Sequence, residues 1–129
     1  MALILETVLR DDLANAIDDS MNAGTSGFCE LKFETTGDVE VATIIMQNPA
    51  FTAAATGVIT MAGQPLQDTS ATGNASAVEQ FSMFDRTGTP VKQLEGNVET
   101  SGADINISSQ IIGAGDTVEL TTFTITVPA

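Results

Sequence analysis

The sequence predicts a mainly β domain, an antiparallel β-sandwich or jelly roll with one N-terminal α-helix. Apolar residues recur every three or four positions over residues 6–22, and the period then changes to two after Gly27. Turn residues follow roughly every 8–14 positions, without a second amphipathic helix, which favours a sandwich over a parallel α/β fold. We expect a single domain over residues 1–129, with an arm and helix at 1–24 and the β-sandwich at 25–129.

The predicted helix covers residues 6–22 and ends in a glycine-containing segment at 23–27. Its apolar positions fall on one stripe, which a single helix must bury against another surface. We expect the aspartate pairs at 11–12 and 18–19, which lie off this stripe, to be solvated. The stripe consists of Leu9, Leu13, Ala16, Ile17 and Met21.

Two strands are predicted directly after the helix. In residues 28–34, FCELKFE, every second residue is apolar, which is typical of a strand with one buried face. Residues 39–46 form the second strand, in which Val39, Val41 and Ile45 share one face. A further strand is predicted around 58–61, and the polar segment 63–76 is predicted to be a long loop or a weak edge.

The second half of the chain predicts a hairpin and two more strands. Residues 77–84 and 91–98 flank a turn at 85–90, and residues 105–112 follow. In the last strand, 118–127, the apolar positions change parity at Thr121 and Thr122. The strand therefore either contains a bulge or passes from one sheet to another.

Charge limits the partners that the chain could bind. The net charge is −13, and the only basic residues are Arg10, Lys32, Arg86 and Lys92. Binding to nucleic acid needs several clustered cations, and anionic membranes attract basic segments. We therefore expect neither direct nucleic-acid binding nor membrane binding.

The residue types required for most catalytic sites are missing. The chain has no His and one Cys, so it lacks common nucleophile–base pairs and zinc ligand sets. Cys29 is predicted to be a buried small hydrophobe. Asp104 and Asp116 occur in turn sequences, where aspartate is expected without a metal. We expect no enzyme activity, metal or cofactor; a carboxylate-based hydrolase is the alternative.

The N-terminal segment MALIL is apolar but lacks the basic region and cleavage site of a signal peptide. No apolar run approaches the roughly 20 residues that span a bilayer. We expect a protein made in the cytosol and used there or in a particle assembled there. An apolar stretch before a helix is either part of the domain's own core or a docking element for another protein.

Six segments spread along the chain carry a resemblance to a known family. They are VLRDDLANAIDDSMNAG at 8–24, NPAF at 48–51, AAATGVIT at 53–60, GTP at 88–90, SGADINISS at 101–109 and FTITVP at 123–128. Together they resemble small structural proteins of tailed bacteriophages, some of which are similar to capsid decoration, or cement, proteins. The resemblance covers most of the chain.

The resemblance implies a virion protein on the capsid surface that binds the major capsid protein, with a homotrimer as the expected oligomer. It implies no catalytic residues. We hypothesise that the N-terminal segment docks on the capsid, through Met1, Ala2, Leu3, Ile4, Leu5, Leu9 and Leu13. The alternatives are a tail component, such as a tube or tube-terminating protein whose anionic lumen would suit DNA passage, and a host-attachment domain.

Overall fold

The computed structural model describes residues 2–129, which form a mainly β, sandwich-like fold with one N-terminal helix, as predicted. The strands are short and curl around a single core. In chain order, the elements are α1 (Thr7–Met21), β1 (Glu30–Glu34), β2 (Glu40–Ile45), β3 (Val58–Thr60), β4 (Leu66–Asp68), β5 (Gln80–Phe84), β6 (Lys92–Glu99), β7 (Ile105–Asn106), β8 (Val118–Leu120) and β9 (Thr124–Thr126).

The largest sheet has five strands in the order β2-β1-β5-β6-β7. Its first three pairs are antiparallel, and the β5–β6 pair is the predicted hairpin around residues 85–91. The last pair is parallel and short, because β7 contacts only the end of β6, through Val98 and Glu99. The predicted strand at 105–112 is thus reduced to two residues.

Two small sheets complete the sandwich: β3 pairs with β9, and β4 pairs with β8, both antiparallel. The parity change at Thr121 and Thr122 is therefore a passage between sheets, one of the two predicted alternatives. The segment 63–76, predicted to be a loop or a weak edge, contributes the short strand β4. Its Asp68 also accepts a hydrogen bond from the Thr43 backbone of β2, at 2.9 Å.

The residues predicted to share one face of the second strand differ in their burial. Val41 is buried, but Val39 and Ile45 are half exposed, while Ala42 and Ile44 are fully buried. The reason is an irregularity in the β1–β2 register, where the pairing shifts between Phe33 and Glu34 and inserts one residue into β2. A β-bulge of this kind changes which alternate residues point inward.

A continuous hydrophobic core joins the sheets and α1. Three phenylalanine rings pack together in this core. The ring centroid of Phe123 lies 6.1 Å from that of Phe51 and 5.5 Å from that of Phe81. The helix contributes only two fully buried hydrophobic side chains to this core, Ala14 and Met21. The other side chains of α1 are partly buried or exposed.

Candidate docking surface

The face of α1 that packs against the domain is largely polar. Asp11, Asn15, Asp18 and Asn22 follow one another at helical spacing and form one row of side chains. Their Oδ1 atoms accept hydrogen bonds from four backbone N–H groups of the segment 50–57, at distances of 2.5 to 3.0 Å. We call these four residues the Asx ladder.

The Asx ladder has a clear physical cause. Much of the segment 50–57 lies outside the sheet ladders, and buried backbone N–H groups need an acceptor. Short side chains with a carboxylate or amide oxygen supply it from the neighbouring helix. The expectation that Asp11 and Asp18 are solvated is therefore wrong, whereas Asp12 and Asp19 are exposed as expected.

Asp18 lies at the centre of the ladder, and its environment is mixed. Its Oδ1 accepts hydrogen bonds from the Phe51 backbone at 3.0 Å and from the Asn22 side chain at 2.8 Å. The pKa of the Asp18 carboxyl is raised: burial raises it most, the two hydrogen bonds lower it, and the nearby Asp19 charge raises it. The ladder needs an acceptor oxygen at this position, which a carboxylate or an amide can supply.

The apolar stripe of α1 is only partly buried, because Met21 lies in the core and Ile17 packs against it, whereas the N-terminal part of the stripe is exposed. Leu9 is 48% exposed and Leu13 is 42% exposed, and Ala16 is exposed as well. Val8, which lies beside the stripe, is 74% exposed. The helix thus holds its polar row against the segment 50–57 and leaves Leu9 and Leu13 accessible, although a surface helix usually buries such apolar positions.

A groove runs between this exposed stripe and β6. It has a volume of about 470 Å³. Its helix side is formed by Leu13, Ala16, Ile17, Ser20 and Met21, and its strand side by Gln93 and Leu94. Most of these side chains are apolar, and Asp12 and Asp19 lie exposed on the adjoining face of the helix. The groove and the stripe form an apolar surface next to acidic residues.

The arm before α1 adds further exposed apolar side chains. Leu3 is 88% exposed and Ile4 is 65% exposed, Ala2 is also exposed, and Leu5 is partly buried. Met1, the first of the predicted docking residues, lies outside the described residues. The arm leads directly into the helix at Thr7, so Leu3 and Ile4 lie in the same part of the chain as the exposed Leu9 and Leu13 of α1.

The four basic side chains are engaged within the molecule. Lys32 forms ion pairs with Glu30 and Glu40, and Lys92 with Asp38 and Glu95, at 3.2 to 3.7 Å. The guanidinium groups donate to backbone carbonyl oxygens, Arg10 to Val127 and Arg86 to Gly27. The remaining carboxylates give the surface its negative charge.

Cys29 is fully buried, as predicted. Burial raises the pKa of its thiol to about 12, and the negative charges of Asp18, Glu30 and Asp85 add to the effect. Because the thiolate is the nucleophilic form, this cysteine is unreactive in the folded protein.

Two buried carboxylates lie at opposite ends of the β1–β5 pair. Glu34, opposite Gln80, accepts a hydrogen bond from the Ser82 hydroxyl at 2.8 Å. Asp85 directly follows Phe84 at the other end and binds its own turn. Hydrogen bonds, first from the Thr87 hydroxyl and then from the Val91 backbone, lower the Asp85 pKa to about 2. The two groups do not form the carboxyl pair required by the hydrolase alternative.

The two aspartates considered for a metal role have structural contacts. Asp104 accepts from the Asn97 backbone at 3.0 Å, and Asp116 accepts from the Gly113 backbone at 2.8 Å. Within residues 2–129, no three His, Cys, Asp or Glu side chains are grouped closely enough to hold a metal ion. Both aspartates act in turns, in line with their sequence context.

The Asx ladder was not among the features predicted for α1. The signal was present as D-x₃-N-x₂-D-x₃-N over residues 11–22, a helical period of short acceptors rather than of apolar residues. The prediction for this helix considered only the spacing of hydrophobic residues. Asp11 and Asp18, which belong to the Asx ladder, were therefore expected to be solvated.

Comparison with known proteins finds no family model, curated protein or solved structure that matches this chain. Over residues 2–129, no helix has the length and apolar character needed to cross a membrane.

Proposed function

We propose that this chain is a structural protein of a bacteriophage virion, a capsid decoration protein that binds the outside of the head and stabilises contacts between capsid subunits. The observation that carries the proposal is the exposed apolar surface of α1. A helix that exposes Leu9 and Leu13 while burying an Asx ladder leaves a surface suited to another protein.

The distribution of charge supports the same class of function. The surface is acidic and the four cations are engaged internally, so a phosphate backbone is an unfavourable partner. An apolar groove beside acidic residues fits a protein surface with apolar side chains and a basic rim. In this proposal the partner is the major capsid protein, and the decoration protein assembles as a homotrimer on the virion surface after synthesis in the host cytoplasm.

The proposed mechanism is linkage. A protein that binds an expanded shell more tightly than its unexpanded precursor shifts the population towards the expanded form and stabilises it by mass action. The apolar surface of α1 would contact neighbouring capsid subunits and oppose their separation. No step requires a catalytic group.

Binding to heads tests the proposal. Expanded heads of the phage that encodes the chain, stripped of this protein, are mixed with the wild type, with Leu9→Gln/Leu13→Gln, or with the matched control Thr36→Gln/Ser101→Gln, which introduces the same side chains at exposed turn positions. The wild type and the control should sediment with the heads and raise their disruption temperature. The double leucine variant should bind roughly tenfold or more weakly, since two apolar side chains lose burial.

Two results would reject the proposal: a wild-type chain that does not bind expanded heads, and a leucine variant that binds as well as the control. Electron microscopy of the purified wild type separates the main alternative, because tubes or stacked rings would indicate a tail component.

A further inference from the structure

The outer edge of β6 is open over part of its length. On the side away from β5, the Asn97 backbone N–H donates to the Asp104 carboxylate at 3.0 Å, and β7 pairs further along. Backbone groups alternate sides along a regular strand, so Glu95 directs its N–H and C=O to the same outer side, and the register shift at Gln93 interrupts the alternation before it. Within residues 2–129 no strand pairs with this part of the edge.

The edge of β9 is open in the same way. Its partner β3 lies on one side, where the Phe123 carbonyl oxygen accepts from the Met61 N–H at 2.8 Å. The backbone groups of Thr124 and Thr126 therefore point to the opposite side. In the described part of the chain, β3 is the only strand paired with β9.

These two open edges line one groove. Leu94 and Glu95 of β6 and the three residues Thr124–Thr126 of β9 contribute to its walls, and the groove has a volume of about 330 Å³. The nearly buried rings of Phe81 and Phe123, in edge-to-face contact, also line it. A single extended strand placed here could hydrogen-bond to both edges and cover both rings.

The charged side chains at the rim of this groove limit which strand can bind there. Glu95 and Asp104 both line it, so an acidic segment would be repelled. The edges offer about three residues each, which corresponds to roughly 10 Å of strand. The occupant must therefore be extended, apolar and free of carboxylates over three or four residues.

We propose that the occupant is the arm of a second copy of this chain, residues 2–5. The arm has no ionisable side chain, and its exposed Leu3 and Ile4 are unused by its own domain. Glu6 at its junction with α1 has extended backbone angles, with φ −65° and ψ 153°. Four extended residues span about 13 Å, enough to cover both edges.

Arm exchange also suits the charge of the molecule. Two bodies that each carry −13 repel one another when broad surfaces meet. A slender uncharged arm joins them with little contact between acidic surfaces. In this arrangement the arm makes contacts between copies of the chain, and the α1 stripe remains available to the shell. This goes beyond the proposed function, because arm exchange does not depend on a capsid as the partner.

The first test measures the oligomeric state by sedimentation equilibrium over a range of concentrations. The wild type should associate, and Leu3→Asp/Ile4→Asp should weaken association roughly 100-fold, because two large aliphatic side chains lose their burial. The control Thr36→Asp/Ser101→Asp adds the same charge at exposed turn positions and should associate like the wild type. Equal association of both variants would overturn the proposal.

The second test blocks the groove instead of the arm. Glu95→Pro removes an N–H from the open side of β6 and leaves the hydrogen bonds to β5 in place. It should reduce association to the level of the arm variant, while Glu95→Ala should not. Far-UV circular dichroism checks that both variants remain folded. Undiminished association of a folded Glu95→Pro chain would contradict the proposal.

Cross-linking identifies the occupant. Chains with Ile4→Cys and chains with Thr126→Cys are mixed, and Cys29 does not interfere because it is buried. A short bismaleimide should join one chain of each kind; pairing Ile4→Cys with Gln67→Cys, on a different sheet, should give little product. If an Ile4→Cys/Thr126→Cys chain cross-links only within itself and stays monomeric, the arm fills its own groove and the second-copy proposal is wrong. The absence of any cross-link between Ile4→Cys and Thr126→Cys chains would also contradict the proposal.

Discussion

Asp18 offers a direct test of the Asx ladder, because its charge and its acceptor oxygen can be separated. Asp18→Ala removes the acceptor of the Phe51 N–H, a group of a residue that is 1% exposed. A buried N–H left without a partner costs about 1–3 kcal/mol of unfolding free energy. The Asn22 amide is less affected, because it also donates to the Asp18 backbone carbonyl at 2.8 Å.

Asp18→Asn keeps an oxygen in the same place and removes the charge. Because burial raises the pKa of Asp18, ionisation of this carboxyl opposes folding. The protonated carboxyl contributes its full stabilisation below the ordinary pKa of 3.8. This stabilisation is lost as the pH rises through the higher pKa of the folded state. Asp18→Asn should therefore be at least as stable as the wild type at pH 7, and its stability relative to the wild type should be lower at pH 3.

Urea unfolding followed by far-UV circular dichroism measures both effects, since the chain has no Trp or Tyr to report by fluorescence. With a denaturant slope of about 2 kcal/mol per molar, Asp18→Ala should lower the midpoint by about 0.5–1.5 M at pH 7. The exposed control Asp19→Ala should change stability by less than about 0.5 kcal/mol. If Asp18→Asn destabilises as much as Asp18→Ala, the charge holds the loop and our account of the ladder is wrong.

Two further predictions concern buried groups. Asp85→Ala should lower the unfolding free energy by about 2–4 kcal/mol at pH 7, because several turn donors lose a charged acceptor. Since the pKa of Asp85 in the folded protein is about 2, the extra stability of the wild type over Asp85→Ala should persist above pH 4 and be lost as the pH falls towards 2. A difference in unfolding free energy that is unchanged in urea titrations at pH 2 would refute this prediction. Native Cys29 should resist iodoacetamide at pH 8 by mass spectrometry and react fully in urea, and rapid native labelling would show that it is accessible.

The sequence was most informative where one local pattern decided the structure. Period-two alternation located β1, and the Asp85–Pro90 turn located the β5–β6 hairpin. The parity change at Thr121 and Thr122 revealed the passage between sheets. Each of these signals lies within about ten consecutive residues and needs no knowledge of distant partners.

The remaining features depend on contacts between distant segments. The buried face of β2 changes because the register shifts opposite Phe33 and Glu34, which alternation within β2 alone cannot show. The orientation of α1 depends on backbone N–H groups of the segment 50–57, some 30–45 residues away in sequence. Leu9 and Leu13 remain accessible because the polar row of the same helix, rather than these leucines, contacts the segment 50–57.

The passage of the final strands between sheets has a consequence for synthesis. Both small sheets receive a strand from residues 118–126, since β8 completes one and β9 the other. Until residues 118–126 have left the ribosome, the large sheet can form but Phe51 and Phe81 lack their contacts with Phe123. The core therefore closes only after these residues emerge, and a nascent chain stalled before them would present an aromatic surface to chaperones.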